Sequence, residues 1–392
     1  MSASADVVIV GGAGVGSASA YFLTADPGFR GRVVVIERDP TYANCSTARS
    51  AGAIRQQFST PENIRLSMFG FKFLSEIAER LEVDGERADV SFRRNGYLFL
   101  ATESGRTVLE TNHATQRAEG ASVALLDAAE LKARFPWLNV EGLAAGSLGL
   151  ANEGWFDPYA LLQAFRRKAR AQGAIYRHDT AVGLERAGDR IVAVKLASGE
   201  RLACGTLVNA AGPGAGRVAA MAGIELPVGP RKRFVYVVDC RTPLPGCPLV
   251  IDASGVWVRP EGSAYVCGVS PPEDQDPECD DFELDYQPFE EVVWPTLAHR
   301  IPAFEAIKLQ RAWAGHYDYN TVDQNGIIGR HPQVTNFVFA NGFSGHGIQQ
   351  SPATGRAVAE LIVHGKFISI DLRRFGYERF AANQPILELN VV

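Results

Sequence analysis

The stretch that most constrains this chain is residues 6–39, DVVIVGGAGVGSASAYFLTADPGFRGRVVVIERD. Residues 7–10 are a short apolar, β-branched run, as a strand buried in a parallel sheet requires. Gly11, Gly12, Gly14 and Gly16 break that run, and residues 17–23 carry the small and apolar side chains of a helix packed close to a sheet. Residues 33–36 form a second buried strand, which ends at Glu37. Strand, glycine turn, helix, strand and acid in this order predict a dinucleotide site. The free N–H groups and dipole of the helix hold a pyrophosphate, and the acid accepts hydrogen bonds from a ribose. The register Gly11-x-Ala13-x-x-Gly16 puts alanine where a second glycine is usual. Its methyl narrows the approach of a pyrophosphate without closing it.

The turn begins so near Met1 that a signal or transit peptide has no room, and no run of about eighteen apolar residues occurs. The expectation is a cytoplasmic chain with no transmembrane segment. A net charge of −5 argues against a nucleic-acid surface. The 6 cysteines are scattered, with no CxxC and no histidine at zinc spacing, and read as free thiols with no metal.

After Glu37, residues 45–63 are rich in small and hydroxyl side chains and predict an ordered loop leading to a helix. Ser59-Thr60-Pro61-Glu62 supplies a hydroxyl cap, a first-turn proline and an acid, and the helix is expected to run to about Leu81. Residues 90–101 alternate as a strand, residues 102–135 read as two helical pieces, and residues 146–150 read as a strand. Asp157-Pro158 starts an amphipathic helix that stops at Gly173. Residues 182–184, 191–196 and 202–204 make a small antiparallel meander closed by LVNAAG, a second point of close backbone approach. From 231 to 313 the texture is antiparallel, with an acidic exposed loop at 271–285 and a helix at 289–300. The last eighty or so residues return to α/β texture, with the strand NFVFANG feeding FSGHGIQQSPATGRAVAELI.

Residues 6–39, the STARSAGAIRQQF loop, LVNAAGPGAG and WAGHYDYNTVDQNGIIGRHP with NGFSGHGIQQ together resemble the D-amino-acid-oxidase-like, FAD-dependent flavoproteins. Sarcosine oxidase, dimethylglycine dehydrogenase and glycine oxidase belong to that family. The resemblance implies an α/β chain: an FAD-binding Rossmann-like domain assembled from residues 1–90, 151–228 and 314–392, plus an antiparallel-sheet α+β substrate domain from 91–150 and 229–313. It implies FAD rather than NAD, because FAD members set the second half of the cofactor against a C-terminal GFSGHG turn. By that likeness Gly11, Ala13, Gly14, Val15, Gly16, Glu37 and Arg38 face the adenosine and pyrophosphate. Ser46, Thr47, Ser50, Ala51, Gly52 and Ile54 lie along the ribityl chain, with Ala210, Ala211 and Gly212 close by. Val182 matches the strand residue that contacts adenine through its backbone. Gly342, Phe343, Ser344, Gly345, His346, Gly347, Ile348 and Gln349 surround the ring. The flavin is expected to be non-covalent, since neither Gly315 nor His316 is the cysteine that sarcosine oxidases carry there.

The chemistry implied is hydride transfer to the flavin from the carbon beside an amine nitrogen, giving an imine that hydrolyses. By itself Arg55 reads as a helix cap or the partner of a surface acid; the resemblance makes it the arginine that grips a substrate carboxylate. Tyr317 and His316 stand where relatives place substrate contacts, and packing under the sheet remains the other reading. His346 either tunes the ring and donates to substrate or is a turn histidine bound to backbone. Gln349 replaces a second carboxylate-binding lysine. No lysine occurs at 264–269, where sarcosine oxidase presents one to the flavin, which favours a dehydrogenase passing electrons to an acceptor protein or quinone; Lys232 or His346 are the candidate substitutes. The expected partner is a small amine or amino acid. The alternatives are 2-hydroxy-acid oxidation on the same fold, or a flavin-stabilised assembly factor for respiratory complex I, a process with which one family member is associated.

Overall fold

The structure, a computed structural model, describes residues 4–389. Its first sheet is built on the strand Ser4–Val10, flanked in parallel by Val33–Glu37 on one side and Arg201–Asn209 on the other. Phe337–Asn341 continues the sheet beyond Arg201–Asn209, and Ile175–His178 beyond Val33–Glu37, both in parallel. The meander of Ala181–Ala187, Arg190–Leu196 and the first half of Arg201–Asn209 folds antiparallel over one face. Four helices cover the other: Gly14–Ala25, Pro61–Ser75, Pro158–Ala171 and Gly347–His364. Small residues let these helices touch backbone to backbone. A side chain at Gly355 would meet the Ala18 backbone at 2.5 Å, and one at Gly70 would strike the Gln349 carbonyl. That contact explains a glycine in the middle of a helix, where it otherwise costs about 1 kcal/mol.

The second sheet runs, edge to edge, Ile307–Asn320, Val228–Cys240, Ala264–Gly268, Trp257–Glu261, Leu249–Ile251, Tyr97–Ala101, Ala145–Gly149, Val123–Leu126. All its pairings are antiparallel except Leu249–Ile251 with Tyr97–Ala101. Successive strand residues point to opposite faces. Leu98, Leu100, Tyr236, Val238, Val250 and Val258 pack under the helices at 128–134 and 294–300. Tyr97, Phe99, Val235, Leu249, Ile251 and Trp257 face the other way, toward the first sheet.

The α/β class and the two-sheet division agree with the sequence, with local corrections. The alternating stretch 90–101 is a strand only over Tyr97–Ala101, because Val90 to Gly96 turn inward to meet residues 153–157. Val123–Leu126 is an edge strand between the two expected helical pieces, drawn into the sheet by pairing with Ala145–Gly149. The helix from Pro61 ends at Ser75 and a short turn, Ile77–Arg80, follows. Thr60 does not cap it: its hydroxyl donates to the Glu388 carboxylate at 2.9 Å. The strand Ile307–Asn320 belongs wholly to the second sheet, so the domain division expected at 313/314 falls inside it. Among the described residues no helix is long and apolar enough to cross a membrane, and the 6 cysteines are unpaired.

Candidate active site

A cavity of about 670 Å³ opens where the two sheets face each other, a size typical of small-molecule sites. At one end lies the glycine turn. Gly11 has φ of +96°, and a side chain there would run into the Ala210 carbonyl, so the loops after strands Ser4–Val10 and Arg201–Asn209 meet main chain to main chain. A side chain at Gly16 would collide with the Gly11 carbonyl. Gly14 begins the helix and leaves only the space that Ile348 and Thr47 border. Ala13 occupies the N-cap in extended backbone and makes no side-chain cap. The Glu37 carboxylate accepts the Gly12 N–H at 2.8 Å and the Asp39 N–H at 2.9 Å, which fixes the turn against the second strand. Thr47 Oγ1 accepts the Gly14 N–H, while the Ser46 hydroxyl, buried in the cavity wall, has no protein partner. An orphaned buried hydroxyl on the same cavity wall as the first turn of a helix fits a dinucleotide. Residues 179–181 and 210–212 complete this end.

At the far end a tight turn precedes the helix Gly347–His364. Gly342, Ser344 and Gly345 all have positive φ, conformations that ordinary side chains tolerate poorly. A side chain at Gly345 would come within 2.6 Å of the Tyr317 ring. Asp318, buried, holds the turn: its carboxylate accepts the Phe343 N–H at 3.1 Å and its carbonyl the Ser344 N–H at 3.1 Å. Burial pushes that carboxyl up to about 6 against these backbone donors.

Arg55 is buried over the ring of Phe58 at 4.5 Å, near Phe99 at 5.0 Å and Tyr97 at 5.9 Å. Its Nη2 donates to His346 Nε2 at 3.2 Å. Burial first, and the Arg55 charge second, hold His346 well below the ordinary histidine range, so the ring is neutral and accepts at Nε2. Gln349 Oε1 accepts the Arg55 backbone N–H at 2.9 Å and the Ser67 hydroxyl at 3.3 Å. Burial raises the Tyr317 hydroxyl, which therefore stays protonated.

Most expected site residues come together on this cavity: Gly11, Ala13, Gly14, Val15, Glu37, Arg38, Ser46, Thr47, Ser50, Ala51, Gly52, Arg55, Ala210, Ala211, Gly212, Tyr317, Phe343, Gly345, His346, Gly347, Ile348 and Gln349 all line it. Five others act at one remove or not at all on its wall. Gly16 sits under the turn, Ile54 is in the core, Gly342 packs toward Val228, and Ser344 turns its hydroxyl to accept the Asn320 N–H. Val182, expected to act through its backbone, is 54% exposed, and the adjacent Ala181 lines the cavity. His316 lines it too, but its Nε2 bonds the Asp281 carbonyl. Lys232 is not on the wall; its ammonium pairs with Asp281 at 2.6 Å.

Several side chains escaped sequence reasoning. Arg259 reaches from the second sheet to donate to the Ala51 carbonyl at 2.6 Å, tying the STARSAG loop in place. Glu153 accepts the Gln56 N–H at 2.6 Å and the Gln57 amide at 2.8 Å, bracing the segment that carries Arg55. Arg49 donates to the Ala314 carbonyl and lies over Phe282 at 4.2 Å. Arg233 grips Asp276 through both terminal nitrogens, at 2.8 and 2.7 Å, and brings the acidic loop down on the rim. No local motif marks any of them, since each partner is distant in sequence.

The profile of the family described as "FAD dependent oxidoreductase" matches residues 6–361. FAD-dependent oxidoreductase domain-containing protein 1 of Xenopus laevis is 48% identical, covering 99% of this chain and 85% of its own length. Mitochondrial sarcosine dehydrogenase of Mus musculus is 26% identical over 95% of this chain and 41% of its own length. Among solved structures, L-proline dehydrogenase from P. horikoshii superposes with a TM-score of 0.85 at 28% identity, covering 98% of this chain and all of that one (100%).

Proposed function

Since the chain belongs to the FAD-dependent oxidoreductase family, of the amino-acid oxidase and dehydrogenase type, we propose that it oxidises the C–N bond of a small amine bearing a carboxylate. The observation that supports this most is Arg55, a buried guanidinium on the cavity wall with a neutral acceptor, His346, at 3.2 Å. Bound FAD supplies the hydride acceptor. Arg55 orients the substrate through its carboxylate, a charge-assisted pair that fixes direction as well as position. Gln349 and Glu153 hold the Arg55 segment from two sides. His346 carries no charge to compete for the carboxylate, and Tyr317 offers an O–H at the ring end. The product imine then hydrolyses in water.

Electrons leave, in this proposal, to an acceptor protein or quinone rather than to dioxygen, and the flavin is held without a covalent bond. Of the two candidate substitutes for a flavin-facing lysine, Lys232 pairs with Asp281 off the wall and His346 is neutral. Rapid re-oxidation of the reduced protein by air would overturn this part.

The test is Arg55→Ala beside Arg55→Lys in purified holoprotein, with carboxylate affinity read from perturbation of the flavin spectrum. The expected loss for alanine is about a hundredfold or more, with partial recovery in lysine and flavin content retained. Unchanged affinity sinks the anchor. Retained FAD with no bleaching by amino acids, N-methyl amino acids or 2-hydroxy acids would return the chain to a non-catalytic, assembly-type role.

A further inference from the structure

The wall beside Arg55 carries information about the rest of the substrate. Alternation along three strands of the second sheet turns Tyr97, Leu249, Ile251 and Trp257 onto the cavity, and Val235 extends the same face. Pairing makes the surface continuous: Leu249 stands opposite Tyr97, and Ile251 opposite both Phe99 and Trp257. Tyr97 and Phe99, which begin this surface, are two of the three rings around the Arg55 guanidinium. Two arginines of this sheet near the cavity are paired, Arg233 to Asp276 and Arg259 to the Ala51 carbonyl. A molecule whose carboxylate meets Arg55 therefore lays its remaining substituent on aliphatic and aromatic carbon.

Resting on the carboxylate-amine reading above, we propose that the substrate is an amino acid with a bulky apolar substituent, branched, cyclic or aromatic, in preference to glycine, sarcosine or a side chain with a second charge. Apolar carbon laid on this wall leaves water with the gain of both surfaces. A second carboxylate or an ammonium there loses its hydration, and the guanidinium groups on this face already hold Asp276 and the Ala51 carbonyl. Arg55 selects the acid; Leu249, Ile251 and Trp257 select what is attached to it.

The experiment uses holoprotein and non-reacting carboxylates, with dissociation constants taken from the flavin spectrum, so that it needs no turnover. Along acetate, propanoate, butanoate, 3-methylbutanoate and phenylacetate, affinity rises by roughly two- to fourfold per added methylene until the wall is covered. Succinate binds at least tenfold more weakly than butanoate. In Ile251→Thr and Leu249→Ala, checked for retained flavin, the gain from acetate to phenylacetate shrinks at least threefold. A flat series, or succinate equal to butanoate, overturns the proposal. If that flat series is still abolished by Arg55→Ala, the anchor stands and the apolar wall alone fails; a series indifferent to Arg55 refutes the anchor instead. Faster bleaching by glycine or sarcosine than by valine, proline or phenylalanine likewise overturns the preference while leaving amine oxidation in place.

Discussion

The two ends of the cavity are built by opposite means. At the glycine turn the protein works with its backbone: Gly11 lies against the Ala210 carbonyl, Gly16 against the Gly11 carbonyl, and Glu37 and Thr47 accept the Gly12 and Gly14 N–H groups. At the Arg55 end it works with side chains carried on separate strands and loops: Phe58, Tyr97, Phe99, His346 and Glu153. A backbone site tolerates no added atom but makes few demands on chemistry elsewhere. A side-chain site is adjustable residue by residue, yet each residue depends on distant partners. The first suits a constant group such as a pyrophosphate, and the second a variable one such as a substrate.

The largest break in this contrast is expected from Gly16→Val. No rotamer removes its Cβ from the Gly11 carbonyl, so the turn must open at a cost above about 3 kcal/mol. The purified variant should be nearly colourless, and a normal ratio of flavin to protein absorbance would show that the turn is not what holds FAD.

At the other end Glu153→Ala takes the carboxylate acceptor from the buried Gln56 N–H and leaves the Gln57 amide with the Tyr97 carbonyl, at 3.1 Å, among its acceptors. The expected loss is about 2–3 kcal/mol in thermal unfolding, with roughly tenfold weaker carboxylate binding and unchanged flavin content. Burial raises this carboxyl from 4.5 to about 7. A raised carboxyl favours folding fully below pH 4.5 and loses that contribution as pH climbs to about 7, by no more than about 3 kcal/mol. Glu153→Gln should remove this segment from a plot of stability against pH; an unaltered slope would mean that the group is not buried in solution.

A smaller effect belongs to the rim. Arg233→Ala leaves Asp276 without its double hydrogen bond, and the loop at 271–285 should exchange its amide hydrogens and admit protease faster, by about 1–2 kcal/mol of local opening. The smallest is Ala13→Gly. Ala13 has φ of −71° and no strain to relieve, so FAD affinity should change by less than about threefold. A large gain would show that its methyl does crowd the pyrophosphate.

What was legible followed from the same division. The turn at Gly11–Gly16, Glu37 at the second strand's end and the glycine turn before Gly347–His364 are local signals, and the structure places nearly all the residues they name on one cavity. Val182, expected to act through its backbone, stands on an edge strand with its side chain outward, next to Ala181 on the cavity wall. The edge strand Val123–Leu126, between two helices, has no signal strong enough to stand alone and exists because Ala145–Gly149 offers it a partner.

Arg55 shows where sequence stops. A lone arginine after a hydroxyl-rich loop reads equally well as a surface residue, and its residue type settles nothing. Three rings, one of them on the neighbouring loop and two on a strand about forty residues away, strip it of water and make it the anchor proposed above for a carboxylate. The sequence by itself determined the elements recognised through backbone, because glycine spacing and strand periodicity act over a few residues. Only the tertiary structure decided the apolar wall of the cavity, the bracing by Glu153, the Arg259 link to Ala51 and the lowered rim loop, because each rests on pairings across strands whose order no local preference dictates.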